Sequence, residues 1–307
     1  MTGITRIEIH GQNDEYLCVH GDSEGNRGIY LGLDQVAGIY DAPEKQTWTS
    51  GARQIGANQR NRKIMARDME LGFMIRETTT HAAERNEAYL FQSIGYELDE
   101  WDSGAKYARL AITTEDSGRR DLDILQYEEP DIEPPIDPIQ QQFSNPILKI
   151  RSGEPDWYED DVITSHTFTQ DGWGAVEVEN PTPRAMWHKW VCTVGTWTLP
   201  DFSWDGPRGD RRPAGQHSDR YLTADAITAA DGGLLIDVDR AELPARTPNG
   251  TNITARFRGQ AFIYKIPAYT QRQSLPVYVA DVPDAGAMVQ LVQPRRWPRP
   301  WGGELYS

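Results

Sequence analysis

The densest group of side chains capable of chemistry is the segment EPDWYEDD at 154–161, where five carboxylates surround Trp157 and Tyr158. Two carboxylates beside a sugar, with aromatic rings to stack on it, are typical of a glycoside hydrolase. Clustered carboxylate oxygens also bind calcium. We favour a third interpretation, an exposed acidic loop whose two rings pack inward, because the sequence does not supply the carboxylate separation that an enzyme requires.

No other segment has the spacing of a catalytic or metal-binding motif. The chain lacks a nucleophile elbow, a phosphate-binding glycine loop, a dinucleotide fingerprint and a zinc-protease helix. Its six histidines are scattered, and its two cysteines, Cys18 and Cys192, lie far apart in the sequence. We therefore predict no enzymatic activity, no metal and no cofactor, and we expect both cysteines to be buried thiols.

The ten tryptophans carry more information than the titratable groups. Five of them lie between 173 and 204, more than one domain core needs, so the surplus is available to stack on sugars or to dock onto another subunit. Trp297 and Trp301 lie in the proline-rich segment QPRRWPRPWGG, where we expect no core. We predict that Arg295, Arg296, Trp297 and Trp301 contact a partner chain.

Hydrophobic periodicity predicts which elements position these residues in the first domain, 1–127. Apolar residues alternate with polar ones around Ile7, Met69–Ile75, Leu110 and Leu122, as in half-buried strands. Asp116–Gly118 is a predicted hairpin turn. One amphipathic helix is predicted over 80–98, with Thr80 as its cap.

The segment 128–138, with four prolines and no basic residue, is the predicted linker between two domains. Short strands separated by turn residues then predict a β-sandwich over 139–283. The remaining residues, 284–307, are predicted to form an extended C-terminal tail. The expected strands of the second domain are Ile147–Arg151, Ala175–Glu179, Lys189–Val194, Leu234–Asp239, Ile253–Phe257 and Phe262–Ile266.

Charge and composition exclude several functional classes. With 46 acidic and 31 basic residues among 307, the net charge is −15, which argues against a protein that grips nucleic-acid phosphates. The N-terminal segment does not have the pattern of a signal peptide, and no apolar run is long enough to span a bilayer. We therefore expect a protein that is made in the cytoplasm and is not inserted in a membrane.

Several stretches, in order along most of the chain, resemble the distal tail proteins, or minor tail proteins, of long-tailed phages that infect actinobacteria. The matching stretches are GIYDAPEKQTWTSGARQIG (38–56), RDMELGF (67–73), YELDEWD (96–102), IDPIQQQFSNPILKIRSGEPDWYEDD (136–161), ENPTPRAMWHKWV with GTWTLPD (179–201), IDVDR (236–240) and QLVQPRRWPRPWG (290–302).

The resemblance implies a mainly β protein in which an N-terminal sandwich or belt domain with one helix precedes a galectin-like sandwich. It implies a homo-oligomeric ring, usually of six copies, between the tail-tube protein and the tail-tip hub, beside other minor tail proteins. Genomic DNA would pass through the bore without specific binding, and the protein would reside in the virion. Two alternatives remain open: a carbohydrate-binding adhesin that uses Trp173 or Trp204, and a tail-borne glycoside hydrolase.

Overall fold

The computed structural model describes residues 4–132, 137–239 and 242–305, without the side chain of Leu33. It divides into two compact units: unit 1 contains 4–158 and 297–303, and unit 2 contains 159–296 and 304–305. Strands dominate both units, so the predicted mainly β class is confirmed. Among the described residues, no helix is both long enough and apolar enough to cross a membrane.

Unit 1 is built on a curled antiparallel sheet with the strand order β2-β1-β7-β8-β10-β6-β3. A separate two-stranded sheet, β4–β5, extends from it. The strands of unit 1 are β1 (Ile4–His10), β2 (Tyr16–Gly21), β3 (Ile29–Ala37), β4 (Glu44–Thr49), β5 (Asn58–Ile64), β6 (Arg67–Arg76), β7 (Ala108–Thr114), β8 (Gly118–Asp131), β9 (Phe143–Ser144), β10 (Ile147–Ser152) and β11 (Trp157–Tyr158).

The alternation of polar and apolar residues fixes which face of these strands enters the core. In β6, Met69, Leu71, Phe73 and Ile75 are all buried, as the sequence predicts. The turn at 116–118 joins β7 to β8, which confirms the predicted hairpin. Apolar side chains from both arms of that hairpin pack into the same core.

The single long helix of the described chain, α1 (Ala83–Ser93), is shorter than the predicted span of 80–98. Its N-cap is Ala82, which makes no side-chain capping bond, so the predicted cap at Thr80 is wrong. The helix ends because Ile94 turns to an extended conformation while still packing into the core. A second, one-turn helix, α2 (Pro138–Gln141), follows β8.

The unit boundary falls between 158 and 159 and not within 128–138. Strand β8 continues to Asp131 and pairs with β10, so the first part of the predicted linker belongs to the sheet; residues 133–136 lie outside the described chain. The register passes from Glu128 opposite Lys149 to Asp131 opposite Ile147. Two residues of β8, including Pro130, therefore lie opposite one residue of β10, and such a bulge accommodates a proline that cannot donate a ladder bond.

Unit 2 is a sandwich of two antiparallel sheets around one core, with the orders β12-β22-β14-β19-β20 and β13-β21-β15-β18. Trp190 and Trp197 are fully buried in it, one from each sheet. The strands are β12 (Val162–Phe168), β13 (Gly172–Asn180), β14 (Lys189–Cys192), β15 (Thr196–Pro200), β16 (Trp204–Asp205), β17 (Arg212–Pro213), β18 (Tyr221–Thr223), β19 (Leu234–Asp237), β20 (Ala245–Arg246), β21 (Thr270–Ala280) and β22 (Ala287–Gln293), and a short β23 (Arg296–Trp297) follows.

Three expectations for this half of the chain are wrong. Thr254–Phe257 forms a 3₁₀ turn, and 262–266 contributes only an isolated bridge at Ile266. The predicted tail begins with β22, which lies between β12 and β14 and buries alternate side chains. The apolar run at 287–292 is therefore a central strand of the sandwich. Both cysteines are free and buried, as predicted.

Candidate assembly surfaces

The C-terminal segment 297–303 belongs to the core of unit 1. Trp297 is only 2% exposed and packs in the same apolar cluster as Trp157. A side chain without accessible surface cannot bind a second protein in this conformation. The prediction that Trp297 anchors a partner is therefore wrong. Its side chain already packs in the core of unit 1, whose other buried residues lie more than a hundred positions earlier in the sequence.

Two fully buried arginines hold this segment in place. The Arg120 guanidinium lies 3.8 Å from the centre of the Trp297 ring and donates to the carbonyls of Arg299 at 3.0 Å and Gly302 at 2.8 Å. Arg67 donates to the carbonyl of Pro298 at 2.8 Å. A buried guanidinium is tolerated only when its donors are satisfied, and main-chain carbonyls provide that here. Sequence reasoning missed both residues, since nothing in a sequence marks an arginine as buried.

The other predicted contact residues are only partly accessible. The Trp301 ring is partly buried against the core of unit 1, tilted at 5.2 Å from Tyr40. Arg295 lies near the carboxylates of Glu159, at 4.0 Å, and Glu179, at 3.9 Å, and Arg296 is half-buried. None of the four predicted residues is thus fully exposed, and a partner contact of Arg295, Arg296 or Trp301 stays a prediction.

The acidic segment at 154–161 is not arranged around a sugar-stacking surface. Trp157 is fully buried and donates its indole N–H to the carbonyl of Ile39 at 3.3 Å, as the inward-packing interpretation predicts. The Tyr158 hydroxyl donates to Asp123 at 2.6 Å; burial, and then this bond, raise the pKa of the phenol. Within the described ranges, no group of three or more potential ligands is placed to hold a metal ion.

Strand β2, at one edge of the unit 1 sheet, is not open for pairing. The N–H of Cys18 in β2 donates to the side chain of Asn26, and its carbonyl accepts from Gly25. The N–H of Tyr16 donates to the hydroxyl of Tyr89. Local side chains and loop amides thus occupy backbone groups of β2 that would otherwise accept a neighbouring strand.

The hairpin β4–β5 is different, because it buries neither of its faces. Every residue from 44 to 66 is exposed, including Trp48 at 55% and Ile55 at the tip, which has no shielding at all. An isolated two-stranded hairpin is only marginally stable in water. This arm is therefore a candidate for contact with another molecule. The sequence feature that indicates an exposed hairpin is the lack of an apolar face in the two strands, EKQTWT and NQRNRKI.

A second exposed feature of unit 1 is an acidic concavity of about 470 Å³ next to the segment 97–106. Its lining includes four acids within six residues and Trp101, which is 89% exposed. The neighbouring cation, Lys106, is paired with Asp14. The acids are Glu97, Asp99, Glu100 and Asp102.

In unit 2, Trp173, Tyr221 and Tyr278 form an aromatic surface that we call the ledge. Trp173 is 61% exposed, with its ring 5.2 Å from Tyr278 and 5.4 Å from Tyr221. Thr198 and Thr223 lie on the same sheet, and their hydroxyls are 2.8 Å apart. Trp204, the other tryptophan considered for sugar stacking, is partly buried against the core.

Comparison with known proteins found no matching family model. The chain is 25% identical over 342 residues to the minor tail protein Gp27 of Mycobacterium phage D29, with 98% of this chain and 99% of that protein aligned. It is 24% identical over 345 residues to the minor tail protein Gp27 of Mycobacterium phage L5, with the same coverage.

Among solved structures, the fold matches that of the Dit protein (gp 19.1) of phage SPP1, described as a paradigm of the hub adsorption apparatus of phages that infect Gram-positive bacteria. The TM-score is 0.58 at 14% identity, and the match covers 94% of this chain and 98% of that one. This chain is thus similar over nearly its whole length to the two mycobacteriophage minor tail proteins, and it shares the fold of the SPP1 Dit protein.

Proposed function

We propose that this chain is a structural subunit of a phage tail tip and that several copies, six as in the family it resembles, close into a ring. The tail-tube protein would lie on one side of this ring and the tail-tip hub on the other, with other minor tail proteins nearby. The protein would be made in the host cytoplasm and carried in the virion. The full-length homology to minor tail proteins supports a role in the tail.

The observation that supports a ring is the exposed hairpin β4–β5. The hairpin is an exposed two-stranded arm, whereas the rest of unit 1 is a packed sheet with a core. A contact between the hairpin of one copy and the body of the next therefore joins two different surfaces. Repeated contacts of this kind generate a closed ring when the rotation between copies closes. The oligomer is thus expected to depend on the hairpin and not on the edge of β2, which its own loop covers.

Passage of DNA follows from the ring and from the charge of the chain. A bore lined by acids repels phosphates, so the genome would slide through without sticking. The net charge of −15 supports this proposal. We propose a structural and not an enzymatic role. The acidic segment at 154–161 supports this, because it directs Trp157 into the core and does not offer that indole to a sugar.

The test is native mass spectrometry of the full chain over a wide range of concentration, with negative-stain images of the same sample. A discrete oligomer of fixed copy number with a central opening is the expected result. A protein that stays monomeric at every concentration, or an open filament without a fixed copy number, contradicts the ring. Antibody labelling of purified virions gives the location, and label away from the tail tip contradicts a tail-tip subunit.

A second candidate function, binding of cell-surface carbohydrate, rests on the ledge around Trp173. An exposed indole held by two tyrosines, with threonine hydroxyls on the same sheet, can stack on a pyranose ring and hydrogen-bond its hydroxyls. Host cell-wall polysaccharide should then alter the intrinsic fluorescence of the wild-type chain. Trp173→Ala should abolish that response and Trp48→Ala should retain it. No response in the wild-type protein excludes this function for the ledge.

A further inference from the structure

The hairpin is a basic arm on an acidic protein. Residues 43–65 contain five basic side chains and one acidic side chain, whereas the whole chain has 31 basic and 46 acidic ones. The sign of the charge therefore reverses locally. Such an arm is attracted to any surface that resembles the remainder of this protein.

The positive charge of the arm is not neutralised by its own chain. Arg62 pairs with Glu44, the only acid of the arm. Over the described ranges no ion pair joins Lys45, Arg53, Arg60 or Lys63 to an acid. Lys45 and Lys63 are moreover direct partners in the register of β4 and β5. Like charges at opposed positions destabilise a strand pair, so this arrangement becomes favourable only when an external acid approaches.

The acidic concavity beside 97–106 has the complementary properties. Its four acids are exposed, and across the described chain no cation forms an ion pair with any of them. Asp99 and Asp102 accept hydrogen bonds from the backbone amides of Trp101 and Gly104, which shapes the loop, while Glu97 and Glu100 remain available. The exposed Trp101 offers an apolar contact for Trp48 or Ile55 of an incoming arm.

The two surfaces do not satisfy each other within one chain, because Trp48 and Trp101 are both largely exposed. We propose that the basic hairpin 43–65 of one copy docks into the acidic concavity at 97–106 of the next copy. This inference rests on the proposed ring and specifies its contact. The two surfaces differ, so the contact can repeat head-to-tail from copy to copy, which is the arrangement that a ring requires.

A nucleic acid is the weaker occupant of the arm. Phosphates would account for the lysines and arginines, but they would leave the acidic concavity and its exposed tryptophan unpartnered. The surrounding surface of an acidic chain would also repel them. A second copy accounts for both surfaces at once.

Charge reversal with mutual rescue tests the docking. In the arm variant, Lys45→Glu, Arg53→Glu and Lys63→Glu make the hairpin acidic. In the loop variant, Glu97→Arg and Glu100→Arg, together with Asp99→Asn and Asp102→Asn, make the concavity basic. The asparagine side-chain oxygens can still accept the backbone hydrogen bonds that shape the loop. Each variant alone brings like charges together in every interface. Each should therefore lose association by at least about tenfold, measured by sedimentation velocity at low salt.

An equimolar mixture of the two variants should assemble again. The acidic arm of one fits the basic concavity of the other, and the unchanged surfaces fit in the alternate interfaces, so a ring of alternating copies has complementary charges throughout. The matched control is Glu115→Arg with Asp116→Arg, two exposed acids in the β7–β8 turn, which should assemble as the wild-type chain does. Raising the salt from about 0.05 M to about 0.5 M should weaken wild-type association, because it shortens the screening length.

The outcomes separate this inference from the proposed function. If both variants form wild-type rings, or if each fails alone and the mixture also fails, the arm does not dock in this concavity, although the ring stands. If the wild-type chain never associates, the ring itself is refuted. Normal rings of the arm variant that have lost retention on immobilised DNA would identify nucleic acid as the occupant and overturn the inference.

Discussion

Truncation of Trp297 distinguishes the conformation seen here from the partner anchor that the sequence predicts. The ring is buried in unit 1 beneath the guanidinium of Arg120. Trp297→Ala therefore removes core volume and a desolvated cation–π contact from the isolated chain. If the tryptophan instead reached out to a neighbouring subunit, the same change would leave the stability of the monomer intact.

The size of the effect follows from burial. A buried aromatic side chain removes roughly 200 Å² from water, which at about 25 cal/mol/Å² gives about 5 kcal/mol. The desolvated cation–π contact adds about 2 kcal/mol. The buried indole N–H of Trp297 has no hydrogen-bond partner, and removing it returns about 1–3 kcal/mol. The remaining cost is about 4–6 kcal/mol, at the upper end of the range measured for large-to-small core substitutions.

Urea unfolding followed by hydrogen-exchange mass spectrometry is the appropriate assay, because the two units need not unfold together. With a slope of about 2–3 kcal/mol per molar urea, the midpoint for unit 1 strands such as β7 should fall by roughly 1.3–3 M. Trp173→Ala, on the surface of unit 2, is the control and should leave that midpoint in place. A loss below about 1 kcal/mol in Trp297→Ala, accompanied by loss of assembly, would refute the buried position and restore the anchor.

Three further predictions concern groups inside the two units, Arg67 and Gly38 in unit 1 and His188 in unit 2. Arg67 donates to five main-chain carbonyls, those of Gly38, Ile39, Asp41, Pro155 and Pro298. A lysine ammonium has three protons, so Arg67→Lys loses at least two of these five hydrogen bonds. The carbonyls of Ile39 and Pro298 keep other donors, Trp157 N–H and Ala42 N–H, so the loss is of bonds and not of every partner. The change should cost about 1–3 kcal/mol in urea unfolding of unit 1, and an unchanged midpoint would contradict this. Burial lowers the pKa of His188 to about 4 from an ordinary value of 6.5. The unfolded state thus binds the proton more readily than the folded state does. Unit 2 therefore keeps its full stability above pH 6.5 and should lose up to about 3 kcal/mol as the pH falls towards 4. His188→Phe should remove this dependence of stability on pH, measured as the urea midpoint across the same range. A Cβ on Gly38, whose φ is +77°, would lie 2.2 Å from the carbonyl oxygen of Asp68, whereas one on Gly56, at φ +83°, meets nothing within 4 Å. Gly38→Ala should therefore lower the melting temperature clearly more than Gly56→Ala, and equal losses would show that backbone strain alone matters.

The features that the sequence predicted correctly are those that a short window of residues determines. The alternation in β6 and the hairpin turn at 116–118 depend on neighbours along the chain, and both are found where they were expected. The helix was predicted too long because apolar periodicity continues through Ile94 and Leu98, although the backbone turns after Ser93. A hydrophobic pattern thus identifies buried residues better than it fixes the end of an element.

The linker and the tail were wrong for a shared physical reason. Proline-rich composition excludes regular structure only when no partner compensates for the missing donors. At Pro130 a bulge opposite β10 makes that compensation, and at 297–303 two buried arginines contributed by β6 and β8 do so. These partners are distant in sequence, and the pattern of the proline-rich segment itself does not contain them.

Net charge is the last quantity whose meaning depends on placement. A total of −15 argued correctly against a surface that is basic throughout, but it concealed the arm at 43–65. Arg67 and Arg120 count as positive charges in that total, yet both are buried and engaged with main-chain carbonyls. Among the described residues, four exposed cations without an ion pair, Lys45, Arg53, Arg60 and Lys63, lie together in the arm, which has no core to bury. The basic arm of such a chain is attracted to acidic surfaces, and other copies of the chain provide them. Self-association through opposite charges is the physical consequence.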